Sequence, residues 1–380
     1  MATMSPHIVL APDKFKGSLT AAEAAAAMHD GCRAALPACI TTVVPVSDGG
    51  EGMLDVAAAR NAEIRSAQVT GPLQKPANAR YAVLGDEVFL ETAEACGLAQ
   101  VPNPGPRTAI DATSYGVGEL LLAVLDAGYR RIHLGLGGSA CTDGGAGMAQ
   151  ALGVRLLDAD GAELPPGGAA LARLARIDAS GLDPRLSDCT VTVAYDVDNP
   201  LVGADGAAPV FGPQKGADAD AVASLTRGLE RYAGLLEQTS PGITARAGAG
   251  AAGGIGAGAF AFLRATGISG AQFLLEVAGA RNAIDGAALV LVGEGRLDSQ
   301  TLRGKAPSAV ALLARELGVP CLAIAGLVDT DQAALEESGI KAAYSLTESA
   351  GSPEVAQAQA SRVLREVTES AVRQWWSETS

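Results

Sequence analysis

The chain opens on an apolar run from His7 to Ala11, then the polar turn DKFKGS, then an alanine-rich stretch from Leu19 to Leu36. This pattern predicts a strand, a loop and a helix, because a short apolar run bounded by turn residues suits a buried strand and alanine is the best helix former. Ser18 or Thr20 can cap the helix, and Glu23 stands in capping-box spacing to Thr20. A second strand, Ile40 to Val46, ends at SDGGEG, and a helix follows from Met53 to Arg60. Strands alternating with helices in this way point to a parallel sheet with crossover helices.

The rhythm changes near residue 61. Ala62 to Thr70, Ala79 to Leu84 and Glu87 to Thr92 read as strands with only turn residues between them, which suits a mixed or antiparallel sheet. A helix returns from Ser114 to Ala127, a strand from Arg131 to Leu136, and a β-branched strand from Thr190 to Tyr195; Asp218 to Leu236 and Ala257 to Thr266 read as helices. From Ala287 the parallel pattern resumes, with strands at Leu289 to Val292, Cys321 to Ala325 and Lys341 to Leu346. Helices are predicted from Ala306 to Leu317, from Asp331, and from Pro353 to about Trp376. The predicted fold is therefore α/β: a Rossmann-like, doubly wound parallel-sheet domain built from residues 1–61 and 288–380, interrupted by an inserted α/β domain with a mixed sheet over 62–287.

Composition narrows the function. The chain has 380 residues, 48% hydrophobic and 18% charged, enough to bury a large core. Its 28 basic and 42 acidic residues leave a net charge of -14, and aromatics are 4%. Nucleic-acid binding is disfavoured, since phosphate contacts need cations and single-strand binding needs aromatic platforms. No apolar run is long enough to span a membrane, the N-terminus lacks a basic leader, and six cysteines without C-x-x-C suit reduced thiols, so a cytoplasmic protein is expected. Three scattered histidines argue against a histidine zinc site.

Lysine sharpens the picture. There are six, at Lys14, Lys16, Lys75, Lys215, Lys305 and Lys341, and arginine supplies the other cations. Lys14, Lys16, Lys215 and Lys305 sit within a few residues of glycine and close to predicted helix starts. Backbone N–H groups freed by glycine, the positive end of a helix and a compact ammonium together suit phosphate or carboxylate. The loops after predicted strands, SDGGEG (47–52), GGSACTDGG (137–145), DVDNP (196–200) and GEGRLDSQT (293–301), carry Asp48, Glu51, Asp143, Asp196, Asp198, Glu294 and Asp298. Carboxylates at strand ends beside lysines suit Mg²⁺-assisted phosphoryl transfer, in which a metal bridges phosphate oxygens and a carboxylate accepts the acceptor's proton. The G-x-G-x-x-G at Gly248, Gly250 and Gly253 lacks a clear preceding strand. It reads as a glycine-rich start of a helix rather than a dinucleotide fingerprint, and no Walker A pattern is present.

Taken in order, APDKFKGSLTA (11–21), SDGGEG (47–52), GLGGSACTDGG (135–145), DVDNPL (196–201), FGPQKGA (211–217), AAGGIGAG (251–258) and GEGRLDSQTLRGKAP (293–307) resemble the type 1 glycerate kinases. Cys141 stands where that family usually has threonine, and Tyr195 where it usually has cysteine; both flank acids without replacing them. The resemblance implies an ATP-dependent kinase phosphorylating D-glycerate, most often to 2-phosphoglycerate with 3-phosphoglycerate the other product, and a site in the cleft between the two domains. Residue by residue, Lys14, Lys16 and Ser18 are expected to hold phosphate or the glycerate carboxylate. Gly137 and Gly138, through their N–H groups, with Ser139, Asp143 and Asn199, are expected at the second anion. Asp196 or Asp198 is the expected base, and Glu294 with Asp298 or Asp48 the expected Mg²⁺ ligands. Lys215 and Arg296 are expected to neutralise charge in the transition state. Two other functions fit parts of the pattern: an NAD-dependent oxidoreductase using the glycine run 248–258, and a non-catalytic nucleotide or sugar-acid sensor. The oligomeric state is left open, with Trp375 and Trp376 able to pack on the domain or on a partner.

Overall fold

The computed structural model describes residues 5–15, 17–46, 52–298 and 306–379. Lys16, Asp48, Glu51 and Lys305 lie outside them. In chain order the strands are β1 (His7–Pro12), β2 (Ile40–Val43), β3 (Glu63–Thr70), β4 (Pro76–Leu84), β5 (Glu87–Glu91), β6 (Arg131–Gly135) and β7 (Arg155–Leu157). They continue with β8 (Arg176–Asp178), β9 (Thr190–Tyr195), β10 (Thr266–Ser269), β11 (Leu289–Asp298), β12 (Cys321–Asp329) and β13 (Ala342–Ser345).

The chain folds as two compact units, one formed by Met1–Asp48 with Ala271–Ser380 and the other by Gly49–Gly270. The exchange points therefore fall at 48/49 and 270/271, not at 61/62 and 287/288. The helix Met53–Ala59 packs on β4 and β5 of the second unit, and Ala271 and Leu275 join the apolar core of the first.

The first unit is a five-stranded parallel sheet in the order β13-β12-β11-β1-β2. Side chains alternate across it, as the strand period requires. Ile8, Leu10, Leu289, Leu291, Leu322 and Ile324 share one core with residues of the helices Ala21–Ala35 and Ala360–Thr379. Val9, Val290, Val292 and Ala323 share the opposite core with the helix Ala306–Glu316. The first helix begins as its sequence predicts: Thr20 accepts from Glu23 N, and the Glu23 carboxylate accepts from Thr20 N. Trp375 packs in the unit's own core, with Trp376 against it.

Two expectations change here. GEGRLD is not a loop: β11 continues to Asp298, paired in parallel with β12, Glu294 opposite Ala325 and Asp298 opposite Asp329. Glycine and acids read as a turn locally, but the neighbouring strand supplies the ladder that keeps them extended. The last predicted helix is two helices, Pro353–Ala358 and Ala360–Thr379.

The second unit is a six-stranded mixed sheet in the order β10-β9-β6-β5-β4-β3. β10, β9, β6 and β5 are parallel; β5, β4 and β3 are antiparallel. A small ribbon, β7 with β8, stands apart. The glycine run is not a regular helix start. Within Ala251–Phe262, residues Ala252, Gly253 and Gly254 are left-handed (φ 50, 69 and 91°); the helix predicted from Ala257 to Thr266 ends at Phe262, and β10 begins at Thr266. Glycine at 253 and 254 is needed, because a Cβ there would stand 2.0 Å from the Cys141 carbonyl oxygen and 2.7 Å from Gly144 Cα respectively.

Candidate active site

In open sheets the ligand end lies outside the carboxyl ends of the parallel strands. In the second unit those ends carry Glu91 and Thr92 after β5, Gly137 to Ser139 after β6, Asp196 to Asn199 after β9, and Ser269 with Gly270 at β10. Buried Thr92 joins two of them: its Oγ1 donates to the carbonyls of Gly135 (3.1 Å) and Gly137 (2.8 Å), and Gly137 N lies 3.2 Å from the same oxygen. On the far side, Leu98 N donates to Gly138 O and Ala140 N to Cys96 O, both at 2.8 Å. The turn after β6 is thus held from both sides. Gly137 N–H is engaged by Thr92, while Gly138 and Ser139 N–H make no hydrogen bond among the described residues.

Lys215 follows the helix Ala207–Phe211 and is 4% exposed. Its Nζ donates to Ser139 Oγ (3.1 Å) and to the Cys141 carbonyl (2.5 Å). Burial pulls its pKa below the usual lysine range, against the pull of Cys141, Cys96 and Asp143. Lys215, Ser139, Gly138, Gln214 and Gly253 line a cavity of ≈ 170 Å³, with apolar walls that include Leu98, Leu136, Val197 and Phe211.

Asp143 is not placed to touch a ligand. It is 1% exposed, and its Oδ2 accepts from Ser114 N (2.8 Å), Ser114 Oγ (2.9 Å), Gly147 N (3.2 Å) and Thr113 Oγ1 (3.4 Å), with Gly145 N on Oδ1 (3.1 Å). It anchors the turn that leads into Ala146–Ala151, so the expected anion-site role becomes a positioning one. Asn199 is likewise occupied: its Nδ2 donates to Asp205 O (2.8 Å), and its carbonyl accepts from Gly250 N (2.8 Å).

Asp196 and Asp198 are both exposed, but only one is held by the fold. Asp196 Oδ1 accepts from Ser269 Oγ and Gly270 N, each at 3.0 Å, whereas Asp198 makes no hydrogen bond or ion pair among the described residues. Tyr195, just before them, fits because its ring lies against Gly248 and Gly267; a Cβ at either glycine would come within 2.4 Å of it. That space answers the departure from cysteine noted above.

The first unit contributes a separate set. Asp13 N donates to Gly293 O (2.8 Å), which ties the first turn to β11, and Lys14 N donates to Asp13 Oδ1 (2.6 Å). Phe15 is buried and pairs by backbone with Leu19, leaving Lys14 and Ser18 exposed around it. Ser18 Oγ donates to Phe15 O (3.1 Å). Along β11, Glu294, Arg296 and Asp298 share one face by strand alternation. Arg296 is paired with Asp329 of β12, and its Nε stands 3.6 Å from Asp298. It is therefore already neutralised by neighbouring acids in this state.

The donor set on β11 fits a hard cation. All the groups are oxygens, and among the described residues no group of three His, Cys, Asp or Glu is gathered to hold an ion alone. Mg²⁺ takes one or two carboxylates and completes its shell with water and phosphate, so either Glu294 or Asp298 could supply a protein ligand; four residues apart on one extended strand, with Arg296 between them, they do not converge on a single ion.

Glu91 and Thr92 escape a sequence reading tuned to glycine, because neither has a glycine beside it. The available signal is their position at the end of a predicted strand. Glu91 is 6% exposed and accepts from Leu54 N (2.9 Å), at the start of Met53–Ala59. Burial, with Glu94 and Asp55 nearby, raises its carboxyl above the usual range.

The motif of the glycerate kinase family matches residues 8–376. This chain belongs to the glycerate kinase family. It is 42% identical to the glycerate kinase of Halalkalibacterium halodurans over 98% of its own length and 99% of that protein's. It is 45% identical to the glycerate 2-kinase of Escherichia coli K12, over 90% of this chain and 91% of that one. A solved structure described as a glycerate kinase 2 from Salmonella typhimurium LT2 superposes with a TM-score of 0.82 at 40% identity, covering 99% of each chain. The mixed and parallel α/β architecture is that of this family, and the protein is an enzyme, a kinase. The NAD-dependent reading of the glycine run falls away with it: these glycines serve close packing, Gly253, Gly254 and Gly258 on the 141–145 turn, Gly248 on the Tyr195 ring and Gly250 on Pro200. No helix among the described residues is long and apolar enough to cross a membrane.

Proposed function

We propose that this enzyme transfers the γ-phosphoryl group of ATP to the 2-hydroxyl of D-glycerate, giving 2-phosphoglycerate and ADP. The observation that carries the reading is the pairing, in the second unit, of a buried lysine cradle with an oriented carboxylate. Lys215 and Ser139 sit at the end of β6, and Asp196 is held at the end of the neighbouring β9. The 2-position is supported by 45% identity to a protein named glycerate 2-kinase.

In this reading Asp196 accepts the hydroxyl proton as the new O–P bond forms and the bond to ADP breaks. A base must be held in place to act in the transition state, and Asp196 is held where Asp198 is not. Gly138 and Ser139 N–H face an anionic group. In the first unit, Lys14 and Ser18 serve phosphate oxygens, and Glu294 or Asp298 would hold the metal, with Lys16 and Asp48 assigned by sequence alone. Mg²⁺, when bound, neutralises phosphate charge and orients the phosphoryl group. Lysine and metal together offset the repulsion that a chain of charge -14 exerts on a polyanionic substrate.

Phosphorus-31 NMR of the product from ATP, Mg²⁺ and D-glycerate tests activity and position together. Asp196→Asn should lower kcat by on the order of 100-fold or more, and Asp198→Asn by much less. Full turnover in both variants would remove the base assignment.

A further inference from the structure

Lys215 is a buried cation whose own hydrogen bonds go to neutral acceptors, Ser139 Oγ and the Cys141 carbonyl. The titratable groups that act on it are Asp143, Cys96 and Cys141. The Asp143 carboxylate is already engaged by Ser114, Gly145 and Gly147. The hydrogen bond with Cys96, and then burial, raise the thiol pKa of Cys141, so it carries no negative charge near neutrality. A buried charge without a counter-charge in contact is costly, and an anion arriving beside it gains more than it would in water. The space beside Lys215 is the ≈ 170 Å³ cavity, and among the described residues no carboxylate lines it. Pockets that enclose drug-sized ligands run from about 300 to 1,000 Å³. This one is too small for a nucleotide and of the right order for a three-carbon acid. Its apolar walls suit a carbon skeleton, and its one ammonium among the described residues suits a single negative charge.

We propose that this cavity seats the carboxylate end of the acceptor acid, and that Lys215 is the specificity-determining residue that recognises it. The assignment rests on the kinase reading above and deepens it: Lys215 belongs to the acid in its ground state, not to the phosphoryl group in flight. Val197 in the cavity wall lies between Asp196 and Asp198 in the chain, so the bound acid is presented to the strand end that carries the base.

The wild-type enzyme tests this without mutation. In an ADP-release assay, D-lactate and 3-hydroxypropanoate, which keep the carboxylate and lack one hydroxyl, should compete with D-glycerate. Glycerol, which lacks the carboxylate, should be at least about 100-fold weaker. Equal inhibition by glycerol would overturn the proposal. The KM for D-glycerate should also rise at alkaline pH as Lys215 loses its proton, with the KM for ATP unchanged; a rise confined to ATP would overturn it. Lys215→Met should raise the KM for D-glycerate by about 100-fold or more and leave that for ATP within about twofold. The reverse pattern would reassign Lys215 to the nucleotide. If wild type releases no ADP with D-glycerate, the kinase reading fails. Calorimetric binding of D-glycerate that is lost in Lys215→Met would still support the cavity assignment, and binding unchanged in that variant would overturn it.

Discussion

The two candidate anion sites use the same residue types, lysine, serine and glycine, in opposite physical settings. In the second unit Lys215 is buried, hydrogen-bonded and backed by a turn that Thr92, Cys96 and Asp143 hold in place. In the first unit Lys14 and Ser18 stand in solvent on a turn closed by Phe15 and Leu19. A buried cation is pre-oriented and strongly felt because little water screens it. An exposed one costs the fold nothing and is worth little until a ligand excludes water around it. Changes at the buried site of the second unit should therefore disturb folding and binding together, and changes at the exposed site of the first unit should disturb binding alone.

The largest effect should come from Asp143→Ala. It leaves the N–H groups of Ser114, Gly145 and Gly147 buried without their acceptor, and should cost about 3–5 kcal/mol in denaturant unfolding. A loss below about 1 kcal/mol would show that the turn is not anchored there. Next is Gly253→Ala, whose Cβ would meet Cys141 O at 2.0 Å and Lys215 Nζ at 2.8 Å on a backbone of φ +69°. About 2–3 kcal/mol of stability and most of the affinity for D-glycerate should be lost. Unchanged affinity would separate the glycine run from the cradle.

A smaller effect concerns pH. Burial raises the Glu91 carboxyl, so the folded protein keeps that proton to higher pH than the unfolded chain, whose reference value is 4.5. Stability from this group is full below 4.5 and falls as pH rises through the raised folded value. Glu91→Gln should remove that part of the slope; an identical pH profile would contradict it. The smallest structural effect is expected for Lys14→Ala. Its unfolding midpoint should match wild type, while the KM for one substrate rises. A shifted midpoint with both KM values unchanged would invert the contrast between the two sites.

Much of the framework was legible from local pattern. The capping box at Thr20 and Glu23, the parallel strands at Ile8 and Leu289, and the mixed sheet after residue 61 all follow from periodicity and turn residues, which are properties of neighbours in sequence. The loops that carry the candidate site were legible too, because glycine and acid at a strand end mark a backbone that needs room and charge. The strand character of GEGRLD was not, since β12 decides it through partners 31 residues further along the chain, as Glu294 with Ala325.

The sequence by itself determined which residues could act: four lysines in glycine-rich turns, acids at strand ends, and the order of elements that presents them. Only the tertiary structure decided what each one does. Lys215 and Lys14 look alike in sequence, yet one is sealed under Ser139 and Cys141 and the other is in water. Asp143 and Asp196 both follow strands, yet one is enclosed by donors and the other faces out. Burial, counter-charge and the supply of hydrogen-bond partners come from residues distant in the chain, and these set the energy of a charge.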